Sequence, residues 1–522
     1  MMNDELMELP EGWQLARIDK LGIIITGSTP PKKKAEFFGD SLPFYKPTDL
    51  DAGYKVTQAR EYLSELGASQ SRVIPPLSVL VTCIGATIGK TGLTRNVCAT
   101  NQQINAIIPE KNILPQWLFW IITSPQGQQL IIDNASATTL PILNKSRFSE
   151  LPVPLPPLNE QKRIVAKIEA LQERSQRVKA ELVAIRPLLD QFRQSVLAAA
   201  FRGDLTKDWR EKNPDIEPAS VLLERIKIER RRRWEEAELE KMKAAGKTPK
   251  DDKWKQKYKE PEPVNSDDLP LLPDGWCWVN LEELSEIDLG KMLDRGKEQK
   301  GKLIPYLRNI NVRWDYFDLD DLLTMDFENH ELERFGLNKG DILVCEGGEP
   351  GRCAVWELEN SEIKYQKTLH RLRPFLEFSR YWIVYHLKLD AIQGTVSDYC
   401  SGSTIKHLTK ALFQKYPIRL TNLKEQKEIV NRIDKLFKIA DNIEHLYQQT
   451  EIDLETLNQS ILAKAFRGEL VPQNPNDEPA SELLERIRKE RETHSKPAKQ
   501  TRKKPPKTDN NNSTQLTLEG IE

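Results

Sequence analysis

Loops rich in basic and amide side chains carry the most legible chemistry in this chain of 522 residues. In the first half they hold Ser28 and Thr29 with Lys32 and Lys33, Lys46 with Thr48, Thr87 with Lys90, and Asn101 with Gln102. In the second half they hold Arg295, Arg308 with Asn309 and Asn311, Arg352, Gln366 with Lys367, and His370 with Arg371. Arginine presents a fork to guanine, and asparagine and glutamine match adenine. Lysine, serine and threonine hold phosphates. Such residues also fill ordinary loops, so type alone marks these positions as DNA-binding candidates and no more.

Catalytic patterns are weak by comparison. Gly85-Ala86-Thr87-Ile88-Gly89-Lys90-Thr91 has three residues between its glycines, whereas a phosphate-binding loop needs four. It reads as a turn at a strand end. Asn329-His330-Glu331-Leu332-Glu333 lacks the second histidine of a zinc-protease helix. The six cysteines are scattered without a C-x-x-C pair, the pattern of reduced thiols in a cytosolic protein. Asn213-Pro214 and Asn474-Pro475 lead into acidic residues and do not resemble the aromatic-flanked Asn-Pro site of adenine methyltransferases. No catalytic residue and no metal ligand is assigned.

The elements that must position the loops occur twice. Leu158-Asn159-Glu160-Gln161-Lys162 and Phe201-Arg202-Gly203-Asp204-Leu205 return as Leu423-Lys424-Glu425-Gln426-Lys427 and Phe466-Arg467-Gly468-Glu469-Leu470. Glu217-Pro218-Ala219-Ser220 returns as Glu478-Pro479-Ala480-Ser481, and Leu9-Pro10-Glu11-Gly12-Trp13 as Leu272-Pro273-Asp274-Gly275-Trp276. An internal repeat of this kind dictates the architecture. Between the paired motifs, Ile164, Ile168, Leu171, Ser175, Val178, Leu182, Ile185, Leu189, Phe192 and Val196 step by four and three. Ile429, Ile433, Leu436, Ala440, Ile443, Tyr447, Thr450, Leu454, Leu457 and Ile461 repeat the register. These are heptad stripes, each predicting a coiled-coil helix of roughly 60 Å. Pro187 should kink or break the first.

The expected fold class is α+β: two α/β recognition regions separated by two long helices related by a pseudo-twofold repeat. Antiparallel pairing of the helices is the expectation, although separate parallel dimers would also cover the stripes. The expected boundaries are a globular region at 1–155, a helical region at 156–245 and a linker at 246–269. A second globular region follows at 270–418, a second helical region at 419–490 and a disordered tail at 491–522. Net charge is −1 with 30% charged residues, so any positive surface must be local. The apolar runs fall well short of the roughly 20 residues that cross a bilayer. The acidic N-terminus lacks an apolar signal core. A cytoplasmic protein with no membrane partner is expected.

Taken together, these motifs resemble the specificity (S) subunit of type I restriction–modification systems. The carriers are the two Leu-Pro-x-Gly-Trp segments, Pro156-Pro157-Leu158-Asn159-Glu160-Gln161, the two Phe-Arg-Gly segments, Lys46-Pro47-Thr48-Asp49-Leu50, and Tyr306-Leu307-Arg308-Asn309-Ile310-Asn311. The resemblance implies a non-catalytic subunit that binds double-stranded DNA. Two target-recognition domains would each read half of a bipartite, asymmetric site, with the helices fixing the unread spacer. It also implies docking of two methyltransferase subunits and of restriction (motor) subunits. S-adenosylmethionine, ATP and Mg would sit on those partners, not on this chain. The features common to both copies are the partner-binding candidates: Phe201, Arg202, Gly203, Leu222, Leu223 and Arg225, with Phe466, Arg467, Gly468, Leu483, Leu484 and Arg486. A second reading, compatible with the first, makes Phe-Arg-Gly a helix C-cap with a left-handed glycine and a buried phenylalanine. An antiparallel coiled-coil scaffold with protein-binding ends is the alternative function.

Overall fold

Both heptad stripes fold as long helices. We label the four principal helices α1 (Leu158–Phe201), α2 (Ala219–Ala244), α3 (Leu423–Arg467) and α4 (Ala480–His494). Pro187 lies inside α1 without breaking it. The position is exposed, so water can satisfy the Val183 carbonyl that loses its intrahelical donor. The first turns are fixed differently in the two copies. Asn422 Oδ1 accepts the Glu425 amide at 2.9 Å, a side-chain N-cap. Pro157 occupies the equivalent position before α1.

The computed structural model describes residues 9–31, 33–136, 140–249, 251–293, 301–359, 361–376, 380–403 and 406–494. Lys32, Arg295 and the part of the expected tail from 495 onward lie outside the described residues. The chain divides into two compact units, one from 1–180 with 450–522 and the other from 181–449. The units therefore do not follow the segment boundaries read along the sequence, because each long helix contributes to both.

In the first unit the strands are β1 (Gln14–Arg17), β2 (Gly22–Thr26), β3 (Phe38–Tyr45), β4 (Tyr62–Leu63), β5 (Val79–Thr82), β6 (Thr91–Leu93), β7 (Ala99–Thr100), β8 (Ile104–Pro109) and β9 (Pro152–Leu155). They form sheets of order β2-β8-β5-β6, β4-β3-β7 and β1-β9. All pairings are antiparallel except β3 with β7. Val79, Val81, Ile107, Trp117 and Phe148 share a core with Ile164 and Ile168 of α1, Ile461 and Phe466 of α3, and Leu483 and Ile487 of α4. The start of one long helix thus meets the end of the other, an antiparallel pairing.

The second unit repeats this plan strand for strand. β10 (Cys277–Asn280), β11 (Ser285–Leu289), β12 (Lys302–Leu307), β13 (Leu323–Phe327), β14 (Ile342–Cys345), β15 (Cys353–Val355), β16 (Lys364–Tyr365), β17 (Leu369–Pro374) and β18 (Pro417–Leu420) give orders β11-β17-β14-β15, β13-β12-β16 and β10-β18. The β12–β16 pair is again the parallel one. Here Val196, Leu197 and Phe201 of α1 meet Ile429, Val430 and Ile433 of α3 against Trp276 and Trp382.

The stripes are covered best where the globular parts pack on them. Val178, Phe192, Ile443 and Leu457 belong to the stripes yet are 41%, 37%, 40% and 52% exposed. In the second unit Arg193 bridges to Asp441 and Glu444 along one side of the helix pair. At about 100° per residue, Leu188 and Phe192 of α1 and Ile439, Ile443 and Leu446 of α3 fall on the opposite side, and all five are exposed.

The 246–269 segment is not a bare connector. Its short helix Asp252–Lys257 brings Trp254 onto Trp234 of α2, with ring centroids 6.1 Å apart, and Tyr258 follows at 5.3 Å. Arg230 donates to the Tyr258 hydroxyl at 2.7 Å. No described helix is long and apolar enough to cross a membrane.

Candidate nucleic-acid interface

The root of each unit is assembled from the repeated motifs. Trp13 Nε1 donates to Glu160 Oε2 at 3.0 Å, and Trp276 Nε1 to Glu425 Oε2 at 2.9 Å. The indole before the first strand is thereby fixed to the first turn of the long helix. Both carboxylates are buried. The Ala480 amide donates to Gly12 O, and the Ala219 amide to Gly275 O, both at 2.8 Å. Gly468 and Gly203 have φ of 75° and 79°, the left-handed region that favours glycine. Their ideal Cβ positions lie 2.4 Å from Pro10 and 2.5 Å from Pro273. In the first unit, first-copy Trp13 and Glu160 meet second-copy Phe466 and Gly468.

This corrects the partner-binding candidates. Phe201, Phe466, Leu222 and Leu483 are interior, and Leu223 and Leu484 pack against the same cores. Phe-Arg-Gly forms the helix end in each copy. The arginines remain at the surface, each beside an acid: Arg202 with Asp204, Arg467 with Glu469, Arg225 with Glu217 and Arg486 with Glu478.

Several DNA-binding candidates lie on or beside one loop per unit, β7–β8 in the first and β16–β17 in the second. Five backbone hydrogen bonds of 2.7–3.2 Å hold both loops in the same frame. Gly27 N to Ile104 O corresponds to Gly290 N to Leu369 O, and Ser28 N to Thr100 O corresponds to Lys291 N to Tyr365 O. Asn101 N to Tyr45 O matches Gln366 N to Leu307 O, and Ile104 N to Asn101 O matches Leu369 N to Gln366 O. Cys83 N to Gln103 O matches Glu346 N to Thr368 O. A Cβ on Gly27 would lie 2.1 Å from Asn101 O, and one on Gly290 would lie 2.4 Å from the Gln366 carbonyl. No side chain fits at either position.

Most basic candidates near these loops already face an acid. Lys46 pairs with Glu61 and Lys90 with Asp51, while Arg308 pairs with Asp321 and Arg352 with Glu349. Arg352 also donates to Asn309 O at 2.9 Å, which ties its loop to the one carrying Arg308. Thr29 donates to Gln102 Oε1. Lys33, Thr48, Thr87, Gln102 and Lys367 are exposed, and Ser28 and Asn309 are half-buried. Asn101 is buried with its amide on Gln103.

Three further candidates do not reach the surface. Asn311 is 1% exposed and accepts from the Arg308 amide. His370 sits inside β17, with Nε2 2.6 Å from Leu408 O. Burial brings its pKa down to about 4, so the ring is neutral at physiological pH. Arg371 pairs with Asp288 and donates to Arg334 O and Gly336 O. These side chains shape the unit from within. In their place the structure brings Arg72, which donates to Thr26 O beside the first loop, and Thr368 in the second. Neither carries a marked sequence pattern. Among the described residues no group of three His, Cys, Asp or Glu could hold a metal ion.

A family model described as the type I restriction modification DNA specificity domain matches residues 10–184 and again 273–453. The specificity subunit of the type I restriction enzyme EcoKI from Escherichia coli K12 is 25% identical over 505 residues, spanning 93% of this chain and 96% of that protein. The crystal structure of the HsdS subunit from Thermoanaerobacter tengcongensis shares the fold, with a TM-score of 0.55 at 21% identity over 90% of this chain and 100% of that chain. A chain from work on complex assembly and conformational transition of the type I R-M system gives a TM-score of 0.61 at 21% identity, covering 89% and 100%. The two family matches each begin at a Leu-Pro-x-Gly-Trp segment and run into a long helix, so the repeat in the sequence and the repeat in the fold are one. The chain belongs to the type I restriction–modification DNA specificity family, whose members are non-catalytic subunits, and it carries that family's domain twice.

Proposed function

We propose that this chain directs a type I restriction–modification complex to a bipartite, asymmetric DNA sequence, each unit reading one half. The observation that carries this reading is the identity of the two strand frames beside the difference of their loop side chains. A frame kept twice with unlike side chains suits two different short sequences read in the same manner. The paired acids around Lys46, Lys90, Arg308 and Arg352 agree with specific rather than bulk electrostatic binding.

The chain's partners in this reading are DNA and a methyltransferase present as two subunits, one served by each copy of the repeat. The exposed apolar side formed by Leu188, Phe192, Ile439, Ile443 and Leu446 is of the kind that helix docking covers. Restriction (motor) subunits complete the complex in the cytoplasm. S-adenosylmethionine, ATP and Mg belong to those partners. The test is a single-molecule methylome of a host with and without this gene. Loss of adenine methylation at one bipartite motif is the expected result. An unchanged methylome in a host with an active methyltransferase partner would overturn the reading.

A further inference from the structure

The two recognition loops share more than a backbone. In each, the first and third side chains bond to one another: Asn101 Nδ2 to Gln103 Oε1 at 2.8 Å, and Gln366 Nε2 to Thr368 Oγ1 at 2.8 Å. The middle side chain, Gln102 or Lys367, is left exposed. The five matched backbone bonds fix where that side chain starts, and the crowded glycines Gly27 and Gly290 keep the neighbouring segment close beneath it. In the first unit Thr29 donates to Gln102 Oε1 and sets the plane of the amide. The equivalent residue in the second unit is Met292, an exposed apolar side chain. Lys367 has no acidic partner among the described residues, unlike Lys46, Lys90, Arg308 and Arg352.

We infer that Gln102 and Lys367 are paired specificity-determining residues, the same position of the same loop used on two half-sites. An oriented amide offers a donor and an acceptor together, the pattern that adenine complements in the major groove. An ammonium group meets only acceptors there, and guanine presents two, O6 and N7. Gln102 therefore selects an adenine–thymine pair in one half-site, and Lys367 selects a guanine–cytosine pair in the other. This inference rests on the bipartite reading proposed above.

The experiment compares methylomes of cells carrying the methyltransferase partner with wild-type chain, Gln102→Ala, Lys367→Ala, Gln102→Lys or Lys367→Gln. Each alanine variant should relax one position of one half-site, with discrimination there falling about 10- to 100-fold. The rest of the motif should be kept, which also reports a folded subunit. Gln102→Lys should shift that position toward guanine–cytosine, and Lys367→Gln should shift its own toward adenine–thymine. Uniformly weaker methylation of an unaltered motif would make these residues phosphate contacts. That would overturn the inference while leaving the bipartite reading intact. A wild-type motif without two halves, or a single variant that alters both halves, would overturn the bipartite reading itself.

Discussion

The two roots answer one structural problem with different third partners. In the second unit the buried Glu425 carboxylate receives Trp276, Thr206 and Thr421 and also pairs with Arg210 at 2.6 Å. In the first, Glu160 receives Trp13 and the Gln473 amide at 2.9 Å, with no cation bonded to it among the described residues. Burial pushes the Glu160 pKa up, against the hydrogen bonds of Gln473 and Trp13. The Trp–Glu bond is thus what the repeat keeps, and the charge balance around it is free to differ. Tight hydrogen bonding holds the junction in both units, while of the two carboxylates only Glu425 has a cation bonded to it among the described residues.

The strongest challenge to this two-unit comparison is wholesale exchange. Replacing residues 14–155 with the matching region of a relative should replace one half of the methylated motif and preserve the other, read by methylome sequencing. A motif changed in both halves would show that the units do not act separately. Next in size, Phe466→Ala should destabilise the first unit and Phe201→Ala the second, each by about 3–5 kcal/mol. Hydrogen exchange resolved along the chain should place each loss in its own unit. Spread over both, the losses would break the division.

Smaller changes address the roots. Arg210→Ala leaves Glu425 a buried carboxylate without its cation, at a cost of about 3 kcal/mol. Gln473→Ala removes a neutral donor, at about 1 kcal/mol. Equal losses in denaturant melts would mean that the arginine adds nothing beyond a hydrogen bond. The smallest effect is on pH dependence. A carboxyl whose folded pKa is raised favours the protonated fold, so its contribution is fully present below its ordinary value of 4.5 and is lost as pH rises through the raised value. Glu160→Gln should therefore match or exceed wild type in stability at neutral pH and lose that advantage in acid. Glu425→Gln deprives Arg210 of its partner and should destabilise at neutral pH. Identical pH profiles for the two variants would remove the distinction between the roots.

The duplication made the long helices and the two globular parts legible in the sequence, because apolar period and repeated motifs are local patterns; the direction of helix pairing is not local, and parallel dimers would have covered the stripes too. What covers an apolar stripe is not local. Ile443 and Leu457 have the right spacing and yet stay exposed. The β7–β8 and β16–β17 loops were legible by residue type but not by burial. Aligning the copies separates them further. Leu369-His370-Arg371 corresponds to Ile104-Asn105-Ala106 of β8, where Asn105 and Ala106 are also buried, so His370 and Arg371 belong to a strand. The repeated Phe-Arg-Gly motif looked like a docking surface because both copies keep it. The structure gives it an internal task, closing a unit founded by the other copy.

That closure has a temporal side. The second unit is drawn from the single stretch 181–449, whereas the first joins 1–180 to residues from 450 onward. Arg163 finds Asp477 across 314 residues of chain, and Arg491 reaches Glu110 across 381. During synthesis the second unit has its whole core once residue 449 has left the ribosome. The first exposes Ile164, Ile168 and Trp13 until the last two helices arrive, an interval of some tens of seconds at ~5–20 residues per second. The region translated first is the last to be sealed.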